Sequence, residues 1–177
     1  MRARDDLLDL AALQLSSGEG RRLEVPVSLG ELAFGQDRYD TAPDPAPAVL
    51  DISAMTGHGV ALRLRFTAEL HGPCMRCLQP ATPSFAIDDR QVNVPGSEGD
   101  ELQSPYVDAE DRLDVRAWAH DALVLALPQT ITCTPECKGL CAVCGANLND
   151  EPDHAHEREP DPRWDKLREL FPESGAA

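Results

Sequence analysis

The sequence predicts an α+β fold: a mainly antiparallel β-sheet packed by one main helix, followed by a Cys/His-rich, metal-pinned C-terminal lobe and a short terminal helix. Three stretches carry this expectation. Residues 60–70 alternate, with Val60, Leu62, Leu64, Phe66, Ala68 and Leu70 on one side and Arg63, Arg65 and Glu69 on the other, the period of a half-buried strand. Residues 114–127 repeat at helical spacing through Val115, Trp118, Ala119, Ala122, Leu123 and Ala126. Residues 133–156 place Cys133, Cys137, Cys141, Cys144, His154 and His156 within 24 residues, with too few apolar side chains between them to offset the entropy of ordering.

Composition sets the outer bounds. A chain of 177 residues can bury one core and carry a small appended lobe. The division expected is a strand-rich core over 1–132, a lobe with its helix over 133–171, and a flexible tail over 172–177. Acidic residues number 31 against 16 basic, for a net charge of −15. Such a field repels phosphate backbones, which argues against non-specific wrapping of nucleic acid and favours either basic partners or simple solubility. In residues 1–15 the acidic Asp5, Asp6 and Asp9 interrupt the apolar run, so neither a signal peptide nor a spanning helix is expected there, no membrane association is expected, and the compartment expected is the cytoplasm. In that reducing compartment six cysteines point to metal ligands or redox thiols rather than structural disulfides.

Taken in order, residues 7–15 are dense in leucine and form either a short helix or a docking strand. Residues 22–28 alternate at Leu23, Val25 and Val27, and Pro26 suits an edge strand. Residues 37–47, with Pro43, Pro45 and Pro47, read as a loop. Residues 49–55 and 60–70 make two strands around a Gly-His-Gly turn. Residues 85–94 supply another strand, with Phe85, Ile87, Val92 and Val94 as its apolar members, and residues 95–104 an exposed loop. Asp114 caps the main helix, Pro128 ends it, and Trp118 and Leu123 are its expected deepest side chains. A short C-terminal helix follows Asp161-Pro162, with Trp164, Leu167, Leu170 and Phe171 as its stripe.

The chemistry concentrates in eight residues: Cys74, Cys77, Cys133, Cys137, Cys141, Cys144, His154 and His156. Thiolates and imidazoles at short spacings suit tetrahedral zinc, because short knuckles let the ligands converge on one ion. One division gathers Cys133, Cys137, Cys141 and Cys144 and leaves the upstream pair unexplained. The other joins Cys74 and Cys77 to Cys133 and Cys137, and Cys141 and Cys144 to His154 and His156, so that every ligand has a place. Either way a site with four protein ligands is closed and therefore structural. Signals for an enzyme are thin: the sequence has no phosphate loop, nucleophile elbow or dinucleotide fingerprint, and Cys74-x-x-Cys77 lies between strands rather than at a helix N-terminus where a redox dithiol is activated. Arg63, Arg65, Arg76 and Lys138 are the candidates for one local RNA contact near the first knuckle.

The Gly72-Pro-Cys-Met-Arg-Cys-Leu78 segment, the helix ending Leu123-Val-Leu-Ala-Leu-Pro128, the string Cys137-Lys-Gly-Leu-Cys-Ala-Val-Cys-Gly145 and Asp161-Pro-Arg-Trp-Asp-Lys-Leu167 together resemble the YceD family. The resemblance covers residues 5–171. It departs from many members at His154-Ala-His156, where they carry Cys-x-Cys, one zinc-competent pair in place of another. The resemblance implies a non-enzymatic role in the synthesis, processing or stability of 23S ribosomal RNA. Combined with the charge, it implies a partner in the large ribosomal subunit precursor or a basic ribosomal protein, with limited direct contact to 23S rRNA. The alternatives are a zinc-stabilised adaptor without a ribosomal task and a CxxC thiol oxidoreductase.

Overall fold

Every strand of the main sheet is laid, directly or through one neighbour, against the alternating segment that begins at residue 60. The computed structural model describes residues 7–96, 102–156 and Arg163. In chain order its strands are β1 (Leu7–Asp9), β2 (Gly20–Val27), β3 (Leu32–Phe34), β4 (Asp37–Ala42), β5 (Ala46–Ala54), β6 (Val60–Pro73), β7 (Pro80–Ala81), β8 (Ser84–Asn93) and β9 (Arg112–Asp114), followed by α1 (Val115–Ala126). β5 and β8 both pair antiparallel with the first half of β6 and so lie on its two sides. β4 pairs farther along, at Glu69 to His71, and β7 at Gly72 and Pro73. β2 closes the edge beyond β5, and β3 pairs with β4. β1 and β9 form a separate two-stranded antiparallel ribbon.

The alternation of β6 decides where the core lies. Leu62, Leu64, Phe66, Ala68 and Leu70 are buried, and Leu50 and Ile52 of β5 join them. Burying each leucine, isoleucine or phenylalanine among them contributes about 1.5–3 kcal/mol. Helix α1 packs against β8 and β2 and buries Val115, Trp118, Ala119, Ala122 and Leu123; Trp118 and Leu123 are fully buried. The Asp114 carboxylate accepts the Ala117 N–H at 2.8 Å, the cap expected, and Leu127 leaves the helix in an extended conformation ahead of Pro128.

Three local expectations are corrected. Residues 37–47 are not a loop: Asp37–Ala42 is β4, and β5 begins at Ala46. Tyr39 and Thr41 alternate inward and are buried, so the sheet overrides the weak strand propensity of Asp and Pro there. Pro47 is accommodated because it lies opposite Pro26, which puts two residues without an N–H at one position of the ladder. In β8 the inward face runs Ile87, Asp89, Gln91, Asn93 rather than through Val92 and Val94. Asp89 earns its inward place by accepting the Trp118 indole N–H at 2.5 Å. In the loop expected over 95–104, Ser104 is buried, its N–H bonded to the Asn93 side chain.

Residues 7–13 combine both forms considered for them, β1 and then a 3-10 turn at Ala11–Leu13. The C-terminal helix proposed after Asp161 lies outside the described residues, as does the tail. The chain divides into two compact units, Met1–Cys137 and Lys138–Ala177. The division falls after Cys137 rather than after residue 132, because Cys133 and Cys137 share a thiol cluster with Cys74 and Cys77. Among the described residues no helix is long and apolar enough to cross a membrane.

Candidate metal centres

Two groups of four ligand atoms form, each drawn together within 4.8 Å: Cys74, Cys77, Cys133 and Cys137 in the first unit, and Cys141, Cys144, His154 and His156 in the second. These are the eight residues expected, in the two-site division. The alternative that gathers Cys133, Cys137, Cys141 and Cys144 is not the one the fold assembles.

Each group is built on the same knuckle. At the first, the Cys74 N–H donates to Gln79 O at 2.8 Å, Leu78 N–H returns to Cys74 O at 2.9 Å, and Arg76 N–H points at Cys74 Sγ at 3.4 Å. At the second, Cys141 N–H donates to Ala146 O at 2.8 Å, Gly145 N–H returns to Cys141 O at 2.9 Å, and Val143 N–H points at Cys141 Sγ at 3.4 Å. The fifth residue of each takes a positive φ, +63° at Leu78 and +75° at Gly145. Glycine adopts that conformation freely and leucine does so only under local constraint.

The constraint on the first knuckle comes from the sheet. β6 and β7 pair at Gly72 with Ala81 and Pro73 with Pro80, bringing the chain ends of the knuckle together. The Tyr39 ring lies flat on Gly72, where a Cβ would fall 2.3 Å from a ring carbon, and its hydroxyl donates to Pro73 O at 2.7 Å. The second pair of cysteines is brought in by the loop after α1. Met75 N–H donates to Ile131 O at 2.8 Å, Ile131 itself is buried, and the Arg76 guanidinium donates to Cys137 O at 2.7 Å.

Sulfur separations in this group match a tetrahedral ion. Zn–S bonds of about 2.3 Å imply S···S edges of about 3.8 Å, and Cys74 Sγ lies 3.7 Å from Cys137 Sγ and Cys77 Sγ 3.6 Å from Cys133 Sγ. Cys74, Cys77 and Cys137 are buried and Cys133 is half-buried. The thiols cannot all ionise unaided. Burial pushes the Cys74 thiol up, but the Cys77 and Arg76 backbone N–H groups outweigh it and hold it at about 6. The Gln79 N–H pulls on Cys77, but burial and the neighbouring Cys74 and Cys133 sulfurs push that thiol up to about 12. One negative charge is thus favoured and further ones are opposed, the conflict that a divalent cation removes.

In the second unit the knuckle strand is held by a bridge between Leu140 and Asn147, by Leu148 N–H to Gly139 O at 3.0 Å, and by Lys138 N–H to the Asn149 side chain at 2.8 Å. Among its described residues no apolar side chain is buried. Ordering costs about 1–2 kcal/mol per residue, and these described residues offset little of it by apolar burial.

The four candidate ligand atoms converge in this segment. Cys144 Sγ stands 3.1 Å from His154 Nε2 and 3.2 Å from His156 Nε2, and the two Nε2 atoms are 2.9 Å apart. These spacings are a few tenths of an ångström inside the edges of a Cys₂His₂ zinc tetrahedron, about 3.3–3.6 Å. The Cys144 and Val143 backbone N–H groups pull the Cys141 thiol down to about 6. The Cys141 sulfur in turn raises the His154 pKa.

Sequence reasoning missed Glu151. Its carboxylate lies 2.9 Å from His154 Nδ1 and accepts a hydrogen bond from the Nδ1–H tautomer, which leaves the Nε2 lone pair directed at the cluster. This carboxylate–histidine arrangement is the usual support of a metal-bound imidazole. The signal available was its position three residues before His154, where one helical-type turn brings the two side chains together; the His154 N–H to Glu151 O bond of 3.1 Å closes that turn.

The four basic residues considered for an RNA contact do not gather into one group: Arg76 lies within the first knuckle and Lys138 directly follows Cys137, whereas Arg63 and Arg65 lie on β6. Arg63 is forked onto Asp88, Arg65 pairs with Asp51, and Arg76 is committed to Cys137 O.

Comparison with known proteins places these features in a family. The family model described as large ribosomal RNA subunit accumulation protein YceD matches residues 62–171, from β6 through both ligand groups. An uncharacterized protein of Mycobacterium tuberculosis is 33% identical over 196 aligned residues, covering 94% of this chain and 92% of that one. An uncharacterized protein of Mycobacterium leprae is 41% identical over 59 residues, 33% of this chain and 27% of that one. A maize protein named large ribosomal RNA subunit accumulation protein YCED homolog 1, chloroplastic, is 42% identical over 50 residues, 28% of this chain and 16% of that one. No solved structure matches the chain.

Proposed function

This chain belongs to the YceD family, and on that premise we propose that it is a non-enzymatic factor supporting the synthesis, processing or stability of 23S ribosomal RNA during large-subunit biogenesis in the cytoplasm. The observation that carries the reading is the family match over residues 62–171, which spans the strand, helix and ligand segments together. Both ligand groups hold zinc in this reading. Cys74, Cys77, Cys133 and Cys137 hold one ion, and Cys141, Cys144, His154 and His156 the other. Zinc suits these donors because it accepts thiolate and imidazole in a tetrahedron without redox chemistry.

What supports a structural role for the metal is the donor count: four protein ligands per group fill a tetrahedron and reserve no position for water or substrate. The chain's residues then do three things. The knuckle N–H groups stabilise the first thiolate of each site, Glu151 holds the His154 tautomer, and the second ion supplies cohesion to residues 138–156, where no apolar side chain is buried. A thiol oxidoreductase needs a cysteine able to leave its neighbours and attack, whereas Cys74 and Cys77 are each buried beside two further sulfurs.

With 31 acidic residues against 16 basic, the chain engages the large-subunit precursor chiefly through a basic ribosomal protein, and its contact with rRNA is limited. Depletion of the protein from growing cells tests the function. The expected outcome is a fall in mature 23S rRNA relative to small-subunit rRNA, restored by the wild-type chain. An unchanged ratio after full depletion would contradict it.

A further inference from the structure

The outward face of the sheet carries an arrangement that the ribosomal reading does not use. Core-facing side chains alternate with outward ones along β2, β5, β6 and β8, and the register brings Arg22, Asp51, Arg63 and Arg90 into one cross-strand row. The adjacent row reads Glu24, Val49, Arg65, Asp88. Four of the chain's 16 basic residues therefore share two neighbouring rows with three carboxylates, although the whole chain has about two acids for each base. With strands about 4.8 Å apart, the four-strand row spans roughly 14 Å.

The carboxylates splint this array without saturating it. Asp51 accepts Arg22 Nε at 2.6 Å and Arg65 Nη2 at 2.8 Å, while Asp88 accepts Arg63 through Nε at 2.7 Å and Nη2 at 2.5 Å. A guanidinium has five N–H donors, so these bonds take part of each set. Arg22 remains 67% exposed along its side chain, and Arg90 is exposed. Guanidiniums held on rigid strands lose less entropy on binding than free ones. At physiological salt the Debye length is about 8 Å, so acids elsewhere on the molecule weigh little against the charges in these rows.

We propose that this open sheet face is a phosphate-contact surface, with Arg22, Arg63, Arg65 and Arg90 meeting the RNA backbone of the large-subunit precursor. The inference rests on the ribosomal reading and assigns its limited rRNA contact to the sheet rather than to the first knuckle. The two rows contain no aromatic side chain, so the contact is electrostatic and does not stack bases.

The experiment uses the full chain and purified large-subunit precursor particles, with affinity measured across a salt series and ultraviolet crosslinks mapped to peptides. The test variant is Arg22→Gln/Arg90→Gln, which leaves Asp51 with Arg65 and Asp88 with Arg63. Arg21→Gln, one residue away on the opposite face of β2, is the control, and circular dichroism checks that both are folded. Each phosphate contact contributes about 0.7 to the salt slope on single strands, so the double variant should lose about 1.4 from the slope and bind roughly tenfold more weakly at 0.15 M salt. Wild-type crosslinks should join β2 and β8 peptides to rRNA, and Arg21→Gln should bind like wild type. Equal binding by the double variant overturns the face while leaving the ribosomal reading in place. Crosslinks from these strands to a ribosomal protein overturn the RNA assignment. No binding of wild type to the particles overturns both.

Discussion

Glu151 shows what a single residue adds to a ligand set. Cysteine and histidine spacing was enough to nominate all eight candidate ligands, because short knuckles of thiols and imidazoles are the pattern that converges on one tetrahedral ion. Glu151 was invisible by the same logic, since it stands among Asp150 and Asp153 and nothing in composition separates a supporting carboxylate from a solvated one. Only its 2.9 Å approach to His154 Nδ1 distinguishes it. Glu151→Ala should lower zinc affinity at the second site about 10–100-fold and leave the first site unchanged. Competition against a chromophoric chelator, which resolves the two affinities, reads this directly. Unaltered affinity at both sites would mean that His154 is oriented without its carboxylate. Gly72 makes a related point about close approach: its place in the Gly-Pro-Cys motif was evident, but its reason, the Tyr39 ring lying against it, required the pairing of two distant strands.

At the scale of elements, legibility followed periodicity. β6 and α1 were readable because apolar residues repeat over three or more periods on one face. β4 and the start of β5 were not, because Pro43, Pro45 and Pro47 signal a loop locally, while burial of Tyr39, Thr41 and Ala46 is decided by partners elsewhere in the chain. Asp89 misled the reading of β8 for a similar reason, as its partner is an indole on α1. The knuckles were visible as motifs, but their equivalence, hydrogen bond by hydrogen bond, was not. Their surroundings differ: Cys74 and Cys77 are buried, while Cys141 is half-buried and Cys144 exposed. Two substitutions should therefore have unequal effects. Cys141→Ser should reduce bound zinc from two ions per chain to one and loosen the second unit, with core stability unchanged within about 0.5 kcal/mol. Cys74→Ser should lose the other ion and lower the unfolding midpoint of the strand–helix unit. Metal analysis alongside denaturant unfolding checks both, and global unfolding by Cys141→Ser, or no loss of metal in either variant, would contradict the assignment.

The whole molecule combines a large acidic excess with membership of a family named for ribosomal RNA, and those facts pull in opposite directions until charge is placed on the fold. Net charge describes the field at a distance and the speed of encounter with basic partners; it says little about rows of side chains within a Debye length of one another. The sequence carried the net charge and the family resemblance, but not the rows, because a cross-strand row joins residues separated by up to 68 positions, Arg22 and Arg90 among them. The central claim is that the protein works on the large-subunit precursor. Recovery of the tagged full chain from growing cells after brief crosslinking, with and without nuclease, tests it most directly. The account predicts enrichment of 23S precursors together with basic large-subunit proteins, with the protein contacts surviving nuclease. Recovery of neither, with a consistent set of non-ribosomal partners in their place, would contradict it.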